Sequence, residues 1–497
     1  MSTAPSRRSF LLALAGAAAV TGFDPAARAW ATSADPGGRF AALPPLDGRI
    51  LLAPAGLSAY EDDYGHIVHR DPAAVLLPGS VEDIAKLIRF AGPLGIPVAP
   101  RGQGHQTFGQ AQVSGGVVID MGTLDAVTVD AASRAVTAQA GALWHSVLTA
   151  SVAQGLTPPV FTDYIELSVG GTLSVGGIGG ASSHFGAQVD TVRALQVVTG
   201  TGEIVQCSAA GPHADLFEAA LAGLGQCGVI TSATIDLVPA PAMVRQYTLT
   251  YPTERALTAD QRKVLRDGRF DWLEGALSPA AASGGWSFAL EGAVYYRGPQ
   301  EPPADAVVLA GLDYVGAPAT QDFGYADFVD QLAPDVAYLM STGEWNDPHP
   351  WINVFLPDAE TDGYLERVLA EASATDIGAS GVVLLYPVST RLLTRPFLRM
   401  PDTGTAFLFA LLRTASPDTD ALSVPQALAR NRVLYERAVA AGGTQYPIGS
   451  IPGLTEADWA RQYGPEFARF GALKRRYDPY SIMTPGQGVF PPPRRDR

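Results

Sequence analysis

Cysteine is nearly absent from this 497-residue protein: Cys207 and Cys227 are the only two, which excludes a disulfide scaffold of the kind that supports small extracellular domains. The helix predicted between them favours unpaired thiols, and neither sits in a cluster of His or Cys spaced for a metal, so no metal site is expected. Positive charge is also scarce. Lys and Arg number 34 against 49 Asp and Glu, a formal net charge of −15; this argues against nucleic acid or an anionic membrane surface as partner, because phosphate binding needs a basic face. Beyond the leader no apolar run approaches the length that crosses a bilayer, and no stable membrane association is expected. Motifs of several common chemistries are missing as well: there is no G-x-x-x-x-G-K-[ST] phosphate loop, no H-E-x-x-H and no complete G-x-S-x-G elbow. His66 and His69 form an H-x-x-H pair without a third ligand and read as a surface turn.

What is present is a long sequence, 47% hydrophobic, enough for two or three domains of about 150 residues each. It opens with Arg7-Arg8 followed by Phe10-Leu11, an alanine-rich run to Val20 and small residues around Ala27 to Ala31. That pattern resembles a twin-arginine export signal, a leader over 1–31, and implies an extracytoplasmic protein. Residues 32–66 then lead into a first domain over 67–240. There a buried strand (Ala73 to Leu77) precedes a helix, with Ser80-Val81-Glu82-Asp83 as a capping box, and the next strand starts near Gly95. A hairpin over Val127–Ala140, a helix from Trp144, strands near 192–205 and 229–238 and a helix from Asp215 follow.

Two glycine-rich stretches punctuate this domain. The first, Arg101-Gly102-Gln103-Gly104-His105-Gln106, lies between two apolar runs and carries a histidine. The second runs from Gly170 to Gly180 with Leu173, Val175 and Ile178 interleaved, which a solvated linker would avoid. Glycine at this density lets backbone approach a flat or charged ligand and present N–H groups to it. A third run, Gly223-Leu224-Gly225-Gln226-Cys227-Gly228, matches G-x-G-x-x-G by letter. A helix precedes it and a strand follows, the reverse of a dinucleotide fingerprint, so the Rossmann reading is rejected.

The first loop, with Gly109-Gln110 and the run Gly115 to Met121, resembles the flavin-attachment loop of the vanillyl-alcohol-oxidase type of FAD enzymes, and within them the cytokinin dehydrogenases. The likeness extends through Thr162-Asp163-Tyr164, Gly170 to Ser174, Asp215 to Thr231, Phe270 to Gly275, Leu290 to Ala293, Pro348 to Asn353, Leu385-Tyr386-Pro387, Thr455 to Trp459, and Tyr477-Asp478-Pro479 with Pro485-Gly486-Gln487. Each is weak alone; their order is specific.

The resemblance implies an α+β, two-domain PCMH-type FAD-binding fold: an FAD domain over 67–240, a substrate domain over 241–445 built on an antiparallel sheet flanked by helices, and a segment over 446–497 returning to the FAD domain. It implies FAD held covalently through His105, by a single link, since no cysteine stands before the second glycine run. Gln106 departs from the serine usual at that position. Matched positions expected to line FAD are Arg101, Gly102, Gln103, Gly104, His105, Gln106, Gln110, Asp163, Ser168, Ser174, Ile178, Ile230, Tyr446, Thr484 and Gln487. Asp163 matches the catalytic aspartate, a base for the substrate N–H, and Glu291 a second carboxylate that faces the purine. Trp351 is read as core packing. The implied reaction is oxidation of the exocyclic C–N bond of an N6-isoprenoid adenine, a small-molecule substrate, with oxygen or a quinone as electron acceptor. A second reading keeps the flavin and changes the substrate to an alcohol, sugar or phenolic metabolite, signalled by Val388-Ser389-Thr390 where the family carries polar or basic residues; a third is a non-catalytic flavoprotein or lipophilic-ligand binder whose site has lapsed, against which stand His105 and Asp163.

Overall fold

The computed structural model describes residues 20–24, 29–32, 41–280, 285–378, 380–417 and 419–490. The twin-arginine residues lie outside the described residues; of the expected leader over 1–31, residues 20–24 and 29–31 fall inside, and the strands Val20–Asp24 and Ala29–Thr32 pair antiparallel. Among the described residues no helix is long and apolar enough to cross a membrane.

The protein builds three principal sheets. In the first, Ala74–Leu77 and Val98–Arg101 both pair in parallel with Val117–Asp120, and Arg49–Leu51 adds an antiparallel edge. Parallel neighbours need a crossover, supplied by the amphipathic helix Val81–Leu94, which buries Ile84, Leu87 and Ile88 and stops at Gly95 in the left-handed region. Its start differs from the expected capping box. Ser80 makes no cap to the helix and donates instead to Asp47, while the Asp83 carboxylate accepts from the N–H groups of Asp47, Gly48 and Gly79. The buried acid fastens the preceding segment to the helix rather than closing the helix on itself. The second sheet is antiparallel, in the order Ile204–Ser208, Val192–Thr199, Gly228–Asp236, Ala135–Gln139, Val127–Asp130.

The third sheet has eight antiparallel strands between Met243 and Gln445. Strand alternation gives it two faces with different duties. Ile352, Val354 and Leu356 pack with Leu257, Tyr364, Leu365 and Leu434 of the helices Glu254–Asp267, Asp358–Glu371 and Val424–Ala440. Phe355, Trp272, Ala293, Tyr386 and Leu408, of opposite phase, join the core of the first domain. The sheet is thus a wall with helices behind it and the first two sheets in front.

After Gln445 the polypeptide returns to the first domain through the helices Glu456–Tyr463 and Glu466–Tyr477. A buried ion pair ends this return: Lys474 Nζ lies 2.8 Å from Asp478 Oδ2 and donates to the carbonyls of Gln226 and Met483 at 3.0 and 3.1 Å. Asp478 in turn accepts from the N–H groups of Ile482 and Met483. Thr484 N then bonds the Val98 carbonyl at 2.8 Å, which brings the last loop to the end of the strand that leads into the His105 loop.

Candidate active site

The loop after Val98–Arg101 turns at Gly104, φ +65°. It is packed so closely that a Cβ on Gly102 would fall 1.9 Å from Ser168 Oγ. Among the described residues, none accepts a hydrogen bond from the backbone N–H groups of Gln103, Gly104, His105 and Gln106. Partners begin further on, where Gln110 Oε1 takes Phe108 N at 2.8 Å and Asp63 Oδ2 takes Gly109 N at 2.6 Å. A run of unpartnered N–H groups in residues lining a cavity is an anion nest of the sort that binds pyrophosphate.

The second glycine run forms the facing wall. Ser168 precedes the short helix Val169–Leu173, pinned by Trp144 Nε1 donating to Thr172 Oγ1 at 2.7 Å. Gly177 N donates to the Tyr446 hydroxyl at 3.1 Å. Leu224 N bonds the Ser174 carbonyl at 2.8 Å, and Thr484 Oγ1 the Gly225 carbonyl at 2.9 Å. Between these walls and the eight-stranded sheet lies a cavity of about 760 Å³, within the range of sites for organic ligands and cofactors.

His105 lines one end. Its ring stacks on Tyr64 with centroids 4.1 Å apart, and Tyr164, Trp345 and Trp351 close around it at 5.0, 5.9 and 5.8 Å. Burial, reinforced by His349, pushes its pKa down to about 3, so the imidazole is neutral and keeps a free lone pair at ordinary pH.

Carboxyl groups gather elsewhere in the same cavity. Asp163 and Glu274 lie within hydrogen-bonding reach of each other. Burial raises the Asp163 pKa, and the hydrogen bond from Glu274 opposes that rise. Glu274 is raised by burial, then by the Asp163 charge and by the same hydrogen bond. Like charges this close share one proton between the two carboxyls. Glu291, paired across the strands with Glu274, is raised by burial, then by Asp163 and Asp335. The Arg413 guanidinium at the cavity wall is occupied by the carbonyls of Pro350, Asp376 and Ala427 and the side chain of Asn431.

The residues fit a flavin dinucleotide: a nest for the pyrophosphate, glycines that admit it, and in the same cavity a neutral nucleophile and a desolvated acid pair. Family comparison agrees. An FAD binding domain matches residues 72–208, and the family of cytokinin dehydrogenase 1, FAD and cytokinin binding, matches residues 277–490. An uncharacterized oxidoreductase of the fasciation locus of Rhodococcoides fascians is 39% identical over 425 residues, 85% of this protein and 95% of that one. Cytokinin dehydrogenase 10 of Oryza sativa subsp. japonica is 34% identical over 475 residues, 86% of each protein. The protein belongs to the cytokinin dehydrogenase family of FAD-dependent oxidoreductases. The crystal structure of 6-hydroxy-D-nicotine oxidase from Arthrobacter nicotinovorans shares the fold, with a TM-score of 0.67 at 21% identity, covering 88% of this protein and 96% of that one. The two-domain α+β PCMH-type fold is therefore the fold of this family member.

Of the residues expected to line FAD, Arg101 to Gln106, Asp163, Ser168, Ser174, Ile178, Ile230, Tyr446, Thr484 and Gln487 border the cavity, as does Glu291. Gln110 does not: both ends of its amide are used inside the protein, Oε1 on Phe108 N and Nε2 on the Gly449 carbonyl, so it braces the loop from behind. Gln106, the departure from the family pattern, faces Gln487 Nε2 at 3.5 Å. Trp351 belongs to the cavity wall and not to the core, because it stands edge-on to Tyr64 and His105. Cys207 and Cys227 are free, buried thiols. The dinucleotide look-alike is a turn after the helix Ala214–Ala220, with Ala222 and Leu224 at positive φ, leading into Gly228–Asp236. Sequence reasoning overlooked Glu274, Tyr64, Trp345 and His349. Glu274 had a signal: it is the one charge in the strand Trp272–Ala280.

Proposed function

We propose that the protein is an exported cytokinin dehydrogenase that oxidises the exocyclic CH–NH bond of an N6-isoprenoid adenine to an imine, which water cleaves to adenine and an aldehyde. FAD is joined to it through His105. The observation that carries this reading is the desolvated Asp163–Glu274 pair in one cavity with the two glycine loops. Asp163, ionised, accepts the substrate N–H and takes its proton as the adjacent C–H is oxidised. Glu274 holds the shared proton and keeps Asp163 in its basic form. Glu291 faces the purine as an acceptor. Val382, Leu384, Leu408 and Leu412 line the cavity as an apolar surface for the isoprenoid tail. Bound FAD supplies the two-electron oxidation and passes the electrons to oxygen or a quinone. His105, neutral and hemmed by aromatic rings, is the nucleophile that fixes the cofactor. The Arg7-Arg8 leader directs export.

The test uses the purified full-length protein. Isopentenyladenine added without oxygen is expected to bleach the flavin absorbance; a spectrum that stays oxidised overturns the cytokinin reading. Acid precipitation is expected to leave the yellow colour in the pellet, and colour in the supernatant overturns the link to His105. Replacing Arg7 and Arg8 by Lys is expected to trap the protein in the cytoplasm.

A further inference from the structure

Covalent attachment demands more of His105 than neutrality. A ring nitrogen must hold its lone pair toward one carbon, and an imidazole on a glycine loop rotates about two side-chain bonds unless something stops it. The Tyr64 ring stops it, nearly parallel at 25° and 4.1 Å between centroids. Tyr64 is in turn sandwiched, with His349 at 4.1 Å and 19°. Backbone bonds fix this stack on both flanks of His105: Tyr64 N to the Gly104 carbonyl at 2.9 Å, and Gly65 N to the Gln106 carbonyl at 3.1 Å. His349 comes from the segment just before the strand Ile352–Pro357 of the large sheet, yet its Nδ1 donates to the Tyr64 carbonyl at 3.0 Å and its N–H to the Gly65 carbonyl at 2.9 Å. The fit is tight, since a Cβ on Gly65 would fall 2.1 Å from the Thr107 carbonyl oxygen. Further along the same loop, Ser450 Oγ donates to the Thr107 carbonyl at 2.8 Å. His349 of the substrate domain and Ser450 of the returning C-terminal segment therefore grip the His105 loop from two sides.

We propose that Tyr64, clamped by His349, is a positioning residue that presets the His105 imidazole for bonding to the flavin, so that attachment follows docking of the substrate domain onto the FAD domain. This rests on His105 as the attachment point. In that step a C–N bond forms between an imidazole nitrogen and the flavin ring methyl, one C–H and one N–H hydrogen are lost, and two electrons with two protons pass through the flavin to oxygen. Tyr64 contributes its ring face. Its hydroxyl has no protein partner among the described residues.

The experiment compares full-length wild type with Tyr64→Leu, Tyr64→Phe, His349→Asn and His349→Phe. It measures the rate at which acid-precipitable flavin accumulates after a riboflavin pulse, alongside total bound FAD and melting temperature. Tyr64→Phe keeps the stack and is expected to match wild type. Tyr64→Leu is expected to attach flavin about 10-fold or more slowly, since misplacing a reacting atom by about 1 Å costs up to about 100-fold, while FAD still binds without the link. His349→Asn keeps a donor for the Tyr64 carbonyl but not the ring, and His349→Phe the reverse; each is expected to slow attachment several-fold while total bound FAD is retained and the protein stays folded at the assay temperature. Attachment at the wild-type rate in Tyr64→Leu or in both His349 variants overturns the proposal, as does Tyr64→Phe being slowed. Should Tyr64→Leu fail to fold, the His349 pair decides. A wild-type pellet without colour is a different failure, that of the link itself.

Discussion

Replacing Glu274 by Leu separates the carboxyl pair, and the result follows from the sign of one hydrogen bond. Burial raises the pKa of Asp163, and the hydrogen bond from Glu274 counteracts it. A hydrogen bond to a charged group contributes about 1.5–3 kcal/mol, or about 1–2 pH units. Losing it moves the ionisation of Asp163 up by that amount, so at neutral pH the reduction of flavin by substrate slows by about 10- to 100-fold. The rate recovers as the pH is raised through the new pKa. Glu274→Gln keeps a donor to Asp163 and should stay within about 5-fold of wild type, because a hydrogen bond of the same polarity remains. Stability moves the other way. Glu274 is an acid whose folded pKa is raised, so its contribution is fully present below its unfolded pKa and is lost as pH rises through the folded one. The leucine variant should therefore gain stability relative to wild type with rising pH. Anaerobic stopped-flow absorbance of the flavin across a pH series measures the rates, and urea melts at the same pH values measure the stabilities. A leucine variant slowed equally at every pH refutes the proton-sharing argument, and one with wild-type rates removes Glu274 from the chemistry.

Other perturbations test other parts of the site. His105→Ala should abolish acid-precipitable flavin yet leave the N–H nest, so FAD binds and dialyses away; retained covalent flavin would place the link elsewhere. Gly102→Ala puts a methyl 1.9 Å from Ser168 Oγ and should lower FAD occupancy in the purified protein, with partial rescue by adding Ser168→Ala. Lys474→Met leaves Asp478 buried without its cation, a loss of about 3–5 kcal/mol, read as a lower melting temperature with a larger fall in FAD content than in activity per bound flavin. His349 is a histidine whose folded pKa is lowered by burial to about 4; its contribution is present above its unfolded pKa and lost as pH falls toward 4. His349→Asn should therefore gain on wild type by up to about 1.4 kcal/mol per pH unit on acidification in that window, measured by urea melts of FAD-free protein.

Local chemistry made much of the first domain legible. The reversed order of helix and strand around Gly223 to Gly228 disposed of the dinucleotide reading, and the structure has that order. The His105 loop was recognisable because glycine and histidine act there through the backbone nearest to them. Ser80 and Asp83 were misread for the opposite reason: a capping box looks the same in sequence whether the acid turns to its own helix or to residues 47 and 48. Trp351 and Gln110 depended on which wall a distant segment meets, and no local pattern records that.

The acid cluster shows how far such information can be hidden and still be determined. Glu274 and Glu291 belong to strands that meet in register, so their side chains emerge on one face. The face is fixed by Leu273, Leu277 and Leu290, whose phase commits them to the helices behind the sheet. A slip of one residue would turn each acid into that apolar layer and each leucine into the cavity. The hydrophobic alternation that builds the core thus aims the acids, and Asp163 meets Glu274 only once the first domain has closed against the wall those leucines orient.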